Sequence, residues 1–444
     1  MSREKKAVSF LKGMIIFLIG IVVGLLLLTV ILNISDKKDP VAEHEINGDV
    51  VSQSVNKTDQ VATEVTEEVF TEATPPEEDQ PPVATQNDPA PSQGGNNAST
   101  PEIDAIINKM SLHEKVCQLF VVTPEALTGF SQVTEFGDTS KASFDSYPVG
   151  GICYFAQNIE SEEQVKTMLS NTQNYAKEKT GFPVLLTVDE EGGGVARCAD
   201  KLGSVPKLEP MFNYKDQGTQ KAYDNAKTIS GYLKNLGFNM DCAPVADTWT
   251  NSANTVIGKR AYSDDFNQAS ELVGSAVKGF EDNGVKCTLK HFPGHGNTTA
   301  DSHQGTATTD KSLDDLNKGE YLPFISGINA GADVIMVGHI TVTSVSNEPA
   351  SVSKDIVTGE LRNKLGFDGV VITDALNMGA VSNSYSSGDL AVKCILAGDD
   401  LLLMPSDLKS AVAGVESAVE SGTIPEERID ESLRRILKLK LSMQ

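Results

Sequence analysis

The chain has 444 residues, of which 39% are hydrophobic and 22% are charged, and its formal net charge is −24. This length allows one large domain or two of ordinary size. The sequence shows no stripe of basic residues within this acidic composition, so we do not expect nucleic acid as a partner.

The first apolar segment is long enough to cross a bilayer. Met14 to Ile34 carries no charged residue, and roughly 20 such residues span the hydrocarbon core as one helix. Basic residues dominate before the segment but not after it, which favours a cytoplasmic N-terminus. We expect a single-pass anchor in the cell membrane with the remaining chain extracytoplasmic, and secretion after signal cleavage is the alternative.

The next segment is acidic and rich in proline and threonine. Phe70 is its only aromatic residue, so the segment cannot bury enough apolar surface to offset the entropy of ordering. The predicted organisation is therefore a cytoplasmic N-terminus at 1–13, an anchor at 14–34, a disordered linker at 35–100 and a globular domain at 101–444.

Short apolar runs alternate with amphipathic segments from Pro101 onward, as they do in βα units. Eight runs are predicted as strands: 116–122, 151–155, 183–188, 238–244, 285–289, 333–338, 369–373 and 401–404. Helical patterns follow at 162–179, 220–236, 266–283, 313–330, 355–365, 388–397, 408–421 and 426–441. Eight such units predict an α/β fold of the (β/α)8 TIM-type barrel class, with a doubly wound open sheet as the alternative.

The cysteines are scattered through the globular part and lack C-x-x-C spacing. They are Cys117, Cys153, Cys198, Cys242, Cys287 and Cys394. We expect buried free thiols, although an exported domain would permit a disulfide.

Ionisable residues follow the ends of several predicted strands: Asp189-Glu190-Glu191, Asp247, Lys290-His291, His339 and Asp374. The carboxyl ends of barrel strands form one mouth, where the chemistry of such folds takes place. We therefore expect these side chains to converge. The glycines at 192–194 indicate either a flexible turn or a close approach to a ligand, and without GxGxxG spacing they predict no dinucleotide cofactor.

Two chemistries suit this set of residues. In retaining glycoside hydrolysis, Asp374 would attack the sugar, His303 would act as acid/base, and Asp301 would orient the His303 ring. Histidine fits the second role because its ordinary pKa lies near neutrality. Asp374 could instead be a helix N-cap, and Asp301 with His303 could be a simple surface pair.

The second chemistry is metal-assisted hydrolysis. His291, His295, His303 and His339 with an aspartate could bind zinc at the mouth. The i, i+4 spacing of the first two histidines would need a helix to place them on one face, and the Pro-Gly pair at 293–294 disfavours a helix there.

Four motifs together carry a family resemblance: DEEGGGVAR, IGKRAYSDD, KHFPGHGNTTADSH and VVITDALNMGA. In this order, across nearly all of 101–444, they resemble the family 3 glycoside hydrolases, in particular the β-N-acetylhexosaminidases that act on bacterial cell-wall sugars. The resemblance implies a (β/α)8 barrel, retention of configuration and neither a metal nor another cofactor.

The resemblance also implies a role for each matching residue. It makes Asp374 the nucleophile, His303 the acid/base and Asp301 its dyad partner. Sugar-binding positions correspond to Asp189, Arg197, Arg260, Lys290 and His291, while His295 and His339 would be structural. The chain departs from the family pattern at Gly194, at Ala261-Tyr262-Ser263 and at Asn297, which bears on subsite detail.

These expectations combine into a retaining exo-β-N-acetylglucosaminidase that acts on peptidoglycan-derived or related glycans. A phosphorylase or another β-glycosidase of the same family is one alternative. The alternatives from other classes are a metal-dependent barrel hydrolase and an inactive cell-wall glycan-binding protein.

Overall fold

The computed structural model describes residues 100–298 and 307–443. The predicted anchor at 14–34, the predicted linker up to residue 99, and both Asp301 and His303 lie outside the described residues. In the described part of the chain, no helix combines the length and apolar character needed to cross a membrane.

Eight parallel strands form a nearly closed barrel and confirm all eight predicted strands. They are β1 (Phe120–Val122), β2 (Gly151–Tyr154), β3 (Leu185–Val188), β4 (Met240–Asp241), β5 (Lys286–Phe292), β6 (Val334–Val337), β7 (Val370–Thr373) and β8 (Leu402–Leu403). Neighbours in the sheet follow chain order, and β8 pairs with β1. A bridge between Ile372 and Leu401 brings β7 against β8. The strands pair in chain order and the last pairs with the first, whereas in a doubly wound sheet the strand order reverses part-way and the sheet stays open. The barrel prediction therefore fits the structure and the doubly wound alternative does not.

Helices follow most of the strands and cover the outside of the barrel. The α-helices are Thr100–Ile107, Leu112–Cys117, Pro124–Thr128, Asp138–Ser146, Glu162–Thr180, Thr219–Leu236, Phe266–Glu281, Leu313–Lys318, Tyr321–Asn329, Gly379–Ser382, Ser387–Ala397, Leu408–Glu420 and Glu426–Leu441. Short 3₁₀ segments occur at Ala156–Asn158, Met211–Gln217, Gly258–Arg260 and Ala350–Val352, and Asp355–Lys364 is a π-helix. All six cysteines are buried and free, as predicted.

The first strand is shorter than the apolar run that predicted it. Ser111 and Glu114 form a capping box that starts a helix ending at Cys117, and such a box satisfies two backbone donors of the first turn. The run from Val116 therefore supplies the buried face of a helix before it enters β1.

The predicted helix at 313–330 is two helices. Gly319 packs against Phe266, where an added Cβ would lie 2.8 Å from the ring. Pro323 has no N–H to donate to the Gly319 carbonyl, so a continuous helix would lack that bond. The chain turns at Gly319 and Glu320 and starts again at Tyr321.

The fifth strand is longer than predicted, and this places site residues inside the sheet. β5 continues through Lys290 and His291 to Phe292. Val245 pairs with Lys290 beyond the end of β4, where Pro244 lacks the donor needed for a regular ladder. The side chains of Lys290 and His291 are therefore set by strand geometry rather than by a loop.

Candidate active site

Lys290 lies between two carboxylates that follow β3. Its Nζ is 2.8 Å from Oδ1 of Asp189 and 2.6 Å from Oε1 of Glu191. Asp189 and Glu191 are two residues apart in extended backbone and so face the same side. Burial alone lowers the pKa of the Lys290 ammonium, but the two carboxylates raise it above its usual range overall. Lys290 is therefore a fixed cation at the mouth.

Arg260 joins the same group from the turn after β4. Its guanidinium binds Glu191 at two points, Nε to Oε2 at 2.8 Å and Nη2 to Oε1 at 2.7 Å. Burial alone raises the pKa of the Glu191 carboxyl, but Arg260 and Lys290 hold it far below its usual range. Glu191 is a buried anion that fixes two predicted sugar-binding cations.

Asp247 orients the histidines that belong to and follow β5. Its Oδ2 lies 2.7 Å from Nδ1 of His291, and its Oδ1 accepts the backbone amide of His295 at 2.5 Å. Burial alone raises the pKa of the Asp247 carboxyl, but His291 and His295 lower it. A carboxylate at this distance accepts the Nδ1 proton, which leaves Nε2 of His291 for other contacts.

Asp374 directly follows β7 and is half-buried. Its backbone amide donates to Val337 O at the end of β6, and its Oδ1 accepts the amide of Ala375 at 2.8 Å. Burial alone raises the pKa of the Asp374 carboxyl, but His291, His339, the Ala375 amide and Lys290 lower it. The side chain is therefore a carboxylate at neutral pH.

His339 is a buried neighbour of Asp374 that contacts protein on both ring nitrogens. Nδ1 lies 2.8 Å from Oγ of Ser351, and Nε2 lies 3.0 Å from the carbonyl oxygen of Ala375. These contacts tie His339 to Ser351 and to the segment that follows Asp374, and the structural role expected for His339 stays a prediction.

Arg197 follows a short antiparallel hairpin formed by Glu190–Gly192 and Val195–Ala196. Its guanidinium lies over the ring of Phe155, with 5.7 Å between Cζ and the ring centroid. Its Nε is buried and has no hydrogen-bond partner among the described residues. Arg197 thus stands at the mouth with donor capacity unused in the protein itself.

The structure joins Asp189, Arg260 and Lys290 in one ion-pair group through Glu191. His291 follows Lys290 on β5, and Asp374 follows β7, two strands further round the barrel. Sequence analysis did not assign roles to Glu190, Glu191 or Asp247. The alternation of Asp189 and Glu191 in extended backbone was a usable signal for Glu191. Asp301 and His303 lie outside the described residues, so the predicted dyad stays a prediction.

A parallel α/β barrel with its charged side chains gathered at the carboxyl ends of the strands has the design of a barrel enzyme. The family model described as the glycosyl hydrolase family 3 N terminal domain matches residues 111–439. The chain therefore belongs to glycosyl hydrolase family 3.

Two curated relatives carry the name β-hexosaminidase. The β-hexosaminidase A of Pseudoalteromonas piscicida is 33% identical over 322 residues, which cover 67% of this chain and 54% of that protein. The β-hexosaminidase of Xylella fastidiosa strain 9a5c is 32% identical over 278 residues, covering 61% of this chain and 81% of that protein. The match thus spans about half the length of the first relative.

Solved structures agree with the family assignment. A glycoside hydrolase family 3 β-N-acetylglucosaminidase from Paenibacillus sp. str. FPU-7 has a TM-score of 0.71 at 37% identity, covering 75% of this chain and 63% of that chain. A family 3 member from Mycobacterium smegmatis has a TM-score of 0.66 at 29% identity, covering 75% of this chain and 98% of that chain.

Proposed function

We propose that this protein is a retaining exo-β-N-acetylglucosaminidase that removes terminal β-linked N-acetylglucosamine from peptidoglycan-derived or related glycans. The observation that carries the proposal is the position of the Asp374 carboxyl, directly after β7, at the same mouth of a family 3 barrel as the Asp189–Lys290 pair. The names of the relatives support the N-acetylglucosamine specificity.

Asp374 is the nucleophile in this proposal. Its carboxylate attacks the anomeric carbon, the glycosidic bond breaks, and His303 protonates the departing oxygen. His303 then removes a proton from water, which displaces Asp374 from the covalent glycosyl-enzyme and restores the original configuration. Asp301 orients the His303 ring and stabilises its protonated form.

The remaining residues hold the sugar. Asp189 accepts hydrogen bonds from hydroxyl groups, since a carboxylate has two acceptor oxygens. Lys290, Arg260 and Arg197 donate to sugar oxygens, and His291 presents Nε2 because Asp247 occupies its Nδ1. The ion pairs of the mouth position Lys290 and Arg260 before substrate binds, which reduces the entropy cost of binding.

The domain is also proposed to be tethered to the cell membrane through the helix at 14–34, with the (β/α)8 catalytic barrel outside the cytoplasm. The basic N-terminus and the uncharged apolar run support this arrangement. External protease added to intact cells should release the catalytic domain from the membrane fraction. Activity found only in the culture medium with a shortened N-terminus would favour signal cleavage instead.

The decisive experiment measures release of p-nitrophenol from the N-acetylglucosaminide, the glucoside and the xyloside. We expect the N-acetylglucosaminide to be cleaved with much the highest kcat/KM, without loss on treatment with a chelator. Loss of activity with the chelator would favour a metal-dependent hydrolase, and glycan binding without turnover would favour a binding protein.

The same assay separates hydrolysis from phosphorolysis. A neutral acid/base repels an incoming phosphate less than a carboxylate would, so phosphate buffer is included as a second condition. Free N-acetylglucosamine as the product in both buffers supports the hydrolase, and sugar 1-phosphate in phosphate buffer identifies a phosphorylase.

A further inference from the structure

Glu190 is a fully buried carboxyl that takes no part in the ion pairs of its neighbours Asp189 and Glu191. Its Oε2 accepts the backbone amide of Cys198 at 2.6 Å, and its Oε1 accepts the amide of Ala199 at 3.0 Å. In extended backbone the middle of three residues faces away from the other two. Glu190 therefore points back into the protein while its neighbours face the mouth.

Two further contacts hold Glu190 itself. The hydroxyl of Tyr232 donates to Oε1 at 2.7 Å, and the backbone amide of Glu190 donates to Oδ1 of Asp241 at 3.0 Å. Asp241 belongs to β4, and Tyr232 belongs to the helix Thr219–Leu236 that precedes it. The carboxyl is thus attached to the rigid wall of the barrel.

The two amides that Glu190 binds come directly after Arg197. The chain reaches Arg197 through three consecutive glycines, of which Gly192 and Gly193 have φ angles of 95° and 61°. Glycine permits these conformations but brings little stiffness to the backbone. Beyond this glycine-containing hairpin, the backbone around Arg197 is held by the Glu190 contacts at Cys198 and Ala199 and by a longer bond of 3.4 Å from the Arg197 amide to the Asp189 carbonyl.

The orientation of the Arg197 side chain depends strongly on the backbone contacts at Cys198 and Ala199. Its Nε is buried without a hydrogen-bond partner among the described residues, and its guanidinium contacts the face of Phe155. A ring face tolerates sliding of a cation, whereas a bidentate carboxylate would not. The direction of the side chain is consequently set by the backbone that carries it.

We propose that Glu190 is a positioning residue that fixes Arg197 for contact with the substrate by binding the two backbone amides after it. The proposal rests on the sugar-binding role proposed for Arg197. Glu190 is predicted to act on substrate only through Arg197, so its removal has no further effect once Arg197 is gone.

A double-mutant cycle tests this dependence. Glu190→Gln keeps the shape of the side chain but has one acceptor oxygen in place of two. We expect it to raise KM for the aryl N-acetylglucosaminide about tenfold, the effect of leaving one buried amide unpaired, with kcat within about twofold of wild type. In an Arg197→Ala background the same substitution should leave KM unchanged.

The matched control is Tyr223→Phe, which removes a hydroxyl on the same helix as Tyr232; this hydroxyl donates to Asp282 and not to Glu190. Its KM should stay within about twofold of wild type. An unchanged KM in Glu190→Gln, or an equal rise of KM in the Arg197→Ala background, would overturn the proposal.

Amide hydrogen exchange gives a readout that does not depend on activity. In the wild type, the amides of Cys198 and Ala199 should be protected as well as amides of the barrel strands, and in Glu190→Gln they should exchange at least about tenfold faster. Absent protection in the wild type rejects the anchor even if the variant does not fold. A wild type that cleaves no N-acetylglucosaminide refutes the proposed function, while hydrogen exchange still decides whether Glu190 holds the segment.

Discussion

Glu191 and Arg260 form a two-point ion pair beneath the barrel mouth, with nitrogen–oxygen distances of 2.8 and 2.7 Å. Glu191 is also 2.6 Å from Nζ of Lys290, which pairs with Asp189 as well, so the group contains two carboxylates and two cations. We expect Glu191→Gln to lower the free energy of unfolding by about 3 kcal/mol, because it removes the carboxylate bound by the guanidinium of Arg260 and leaves Lys290 with Asp189 alone. Urea denaturation measures the change.

The control for this prediction is a solvent-exposed ion pair on the protein surface. Asp314 and Lys318 form an exposed i, i+4 pair, and Asp314→Ala should change the free energy of unfolding by less than about 0.5 kcal/mol. Equal effects of the two substitutions would show that the Glu191 cluster gains nothing from burial.

Asp247→Asn should impair the orientation of His291. The carboxylate accepts the Nδ1 proton of His291 at 2.7 Å, whereas an amide in its place can present a donor and favour the other tautomer. We expect kcat/KM to fall about 10- to 100-fold at temperatures where the variant is fully folded. Asp399→Asn is the control, since Asp399 is equally buried, precedes β8 at the opposite end of the barrel, and has a pKa that burial raises well above its usual value. Activity retained in Asp247→Asn would contradict the orienting role.

Asp374→Ala should abolish formation of the glycosyl-enzyme. We expect kcat to fall about 10³-fold or more, and azide, which can enter the vacated space, to restore turnover with an α-glycosyl azide as product. Asp368→Ala removes an exposed carboxylate before the same strand and should remain active. A fluorosugar inactivator that labels a residue other than Asp374 would refute the nucleophile assignment.

His303→Ala should affect substrates according to their leaving groups. A dinitrophenyl group leaves without protonation, whereas a phenyl or sugar leaving group needs an acid. We expect losses of about 10³-fold for the poor leaving groups and about tenfold or less for the good one. The control is His113→Ala, which alters a histidine bound to Glu416 away from the mouth. It should keep its activity on substrates with good and with poor leaving groups. Equal losses across all leaving groups in His303→Ala would remove His303 from the acid role.

The burial of Lys440 should make the free energy of unfolding depend on pH. It is fully buried and donates to Oε1 of Gln118 at 2.6 Å, and burial lowers the pKa of its ammonium from 10.5 to about 7. Between those values the unfolded chain binds more protons than the native state, so this group makes the free energy of unfolding rise with pH. Below about pH 7 the cost of burying the ammonium is present in full, and above the unfolded pKa it is absent.

Lys440→Met should therefore stabilise the protein most at about pH 6, and its advantage should shrink by up to roughly 1.4 kcal/mol per pH unit towards pH 10.5. Denaturation series across this range measure the difference from wild type. Lys438→Met, at an exposed position of the same helix, should leave the pH slope unchanged. If the free energies of unfolding of Lys440→Met and wild type differed by the same amount at every pH, Lys440 would have an ordinary pKa in the folded protein.

The sequence by itself determined the number and order of the barrel strands and the positions of Asp189 and Asp374 directly after two of them, while Lys290 and His291 proved to lie within β5. This was possible because strand and helix periodicities are local and because parallel strands of a barrel share one mouth. The ends of elements were less predictable. Capping at Ser111 and the missing donor of Pro323 act over only a few residues and divide runs of otherwise uniform hydrophobicity.

Only the tertiary structure decided which charges pair. Glu191 binds Arg260 and Lys290, which lie 69 and 99 positions further along the chain, and Glu190 faces the opposite side to anchor the segment after Arg197. The three acidic residues at 189–191 look alike in sequence. Their functions differ because extended backbone turns alternate side chains to opposite faces, and because closure of the barrel brings separate strands to each face.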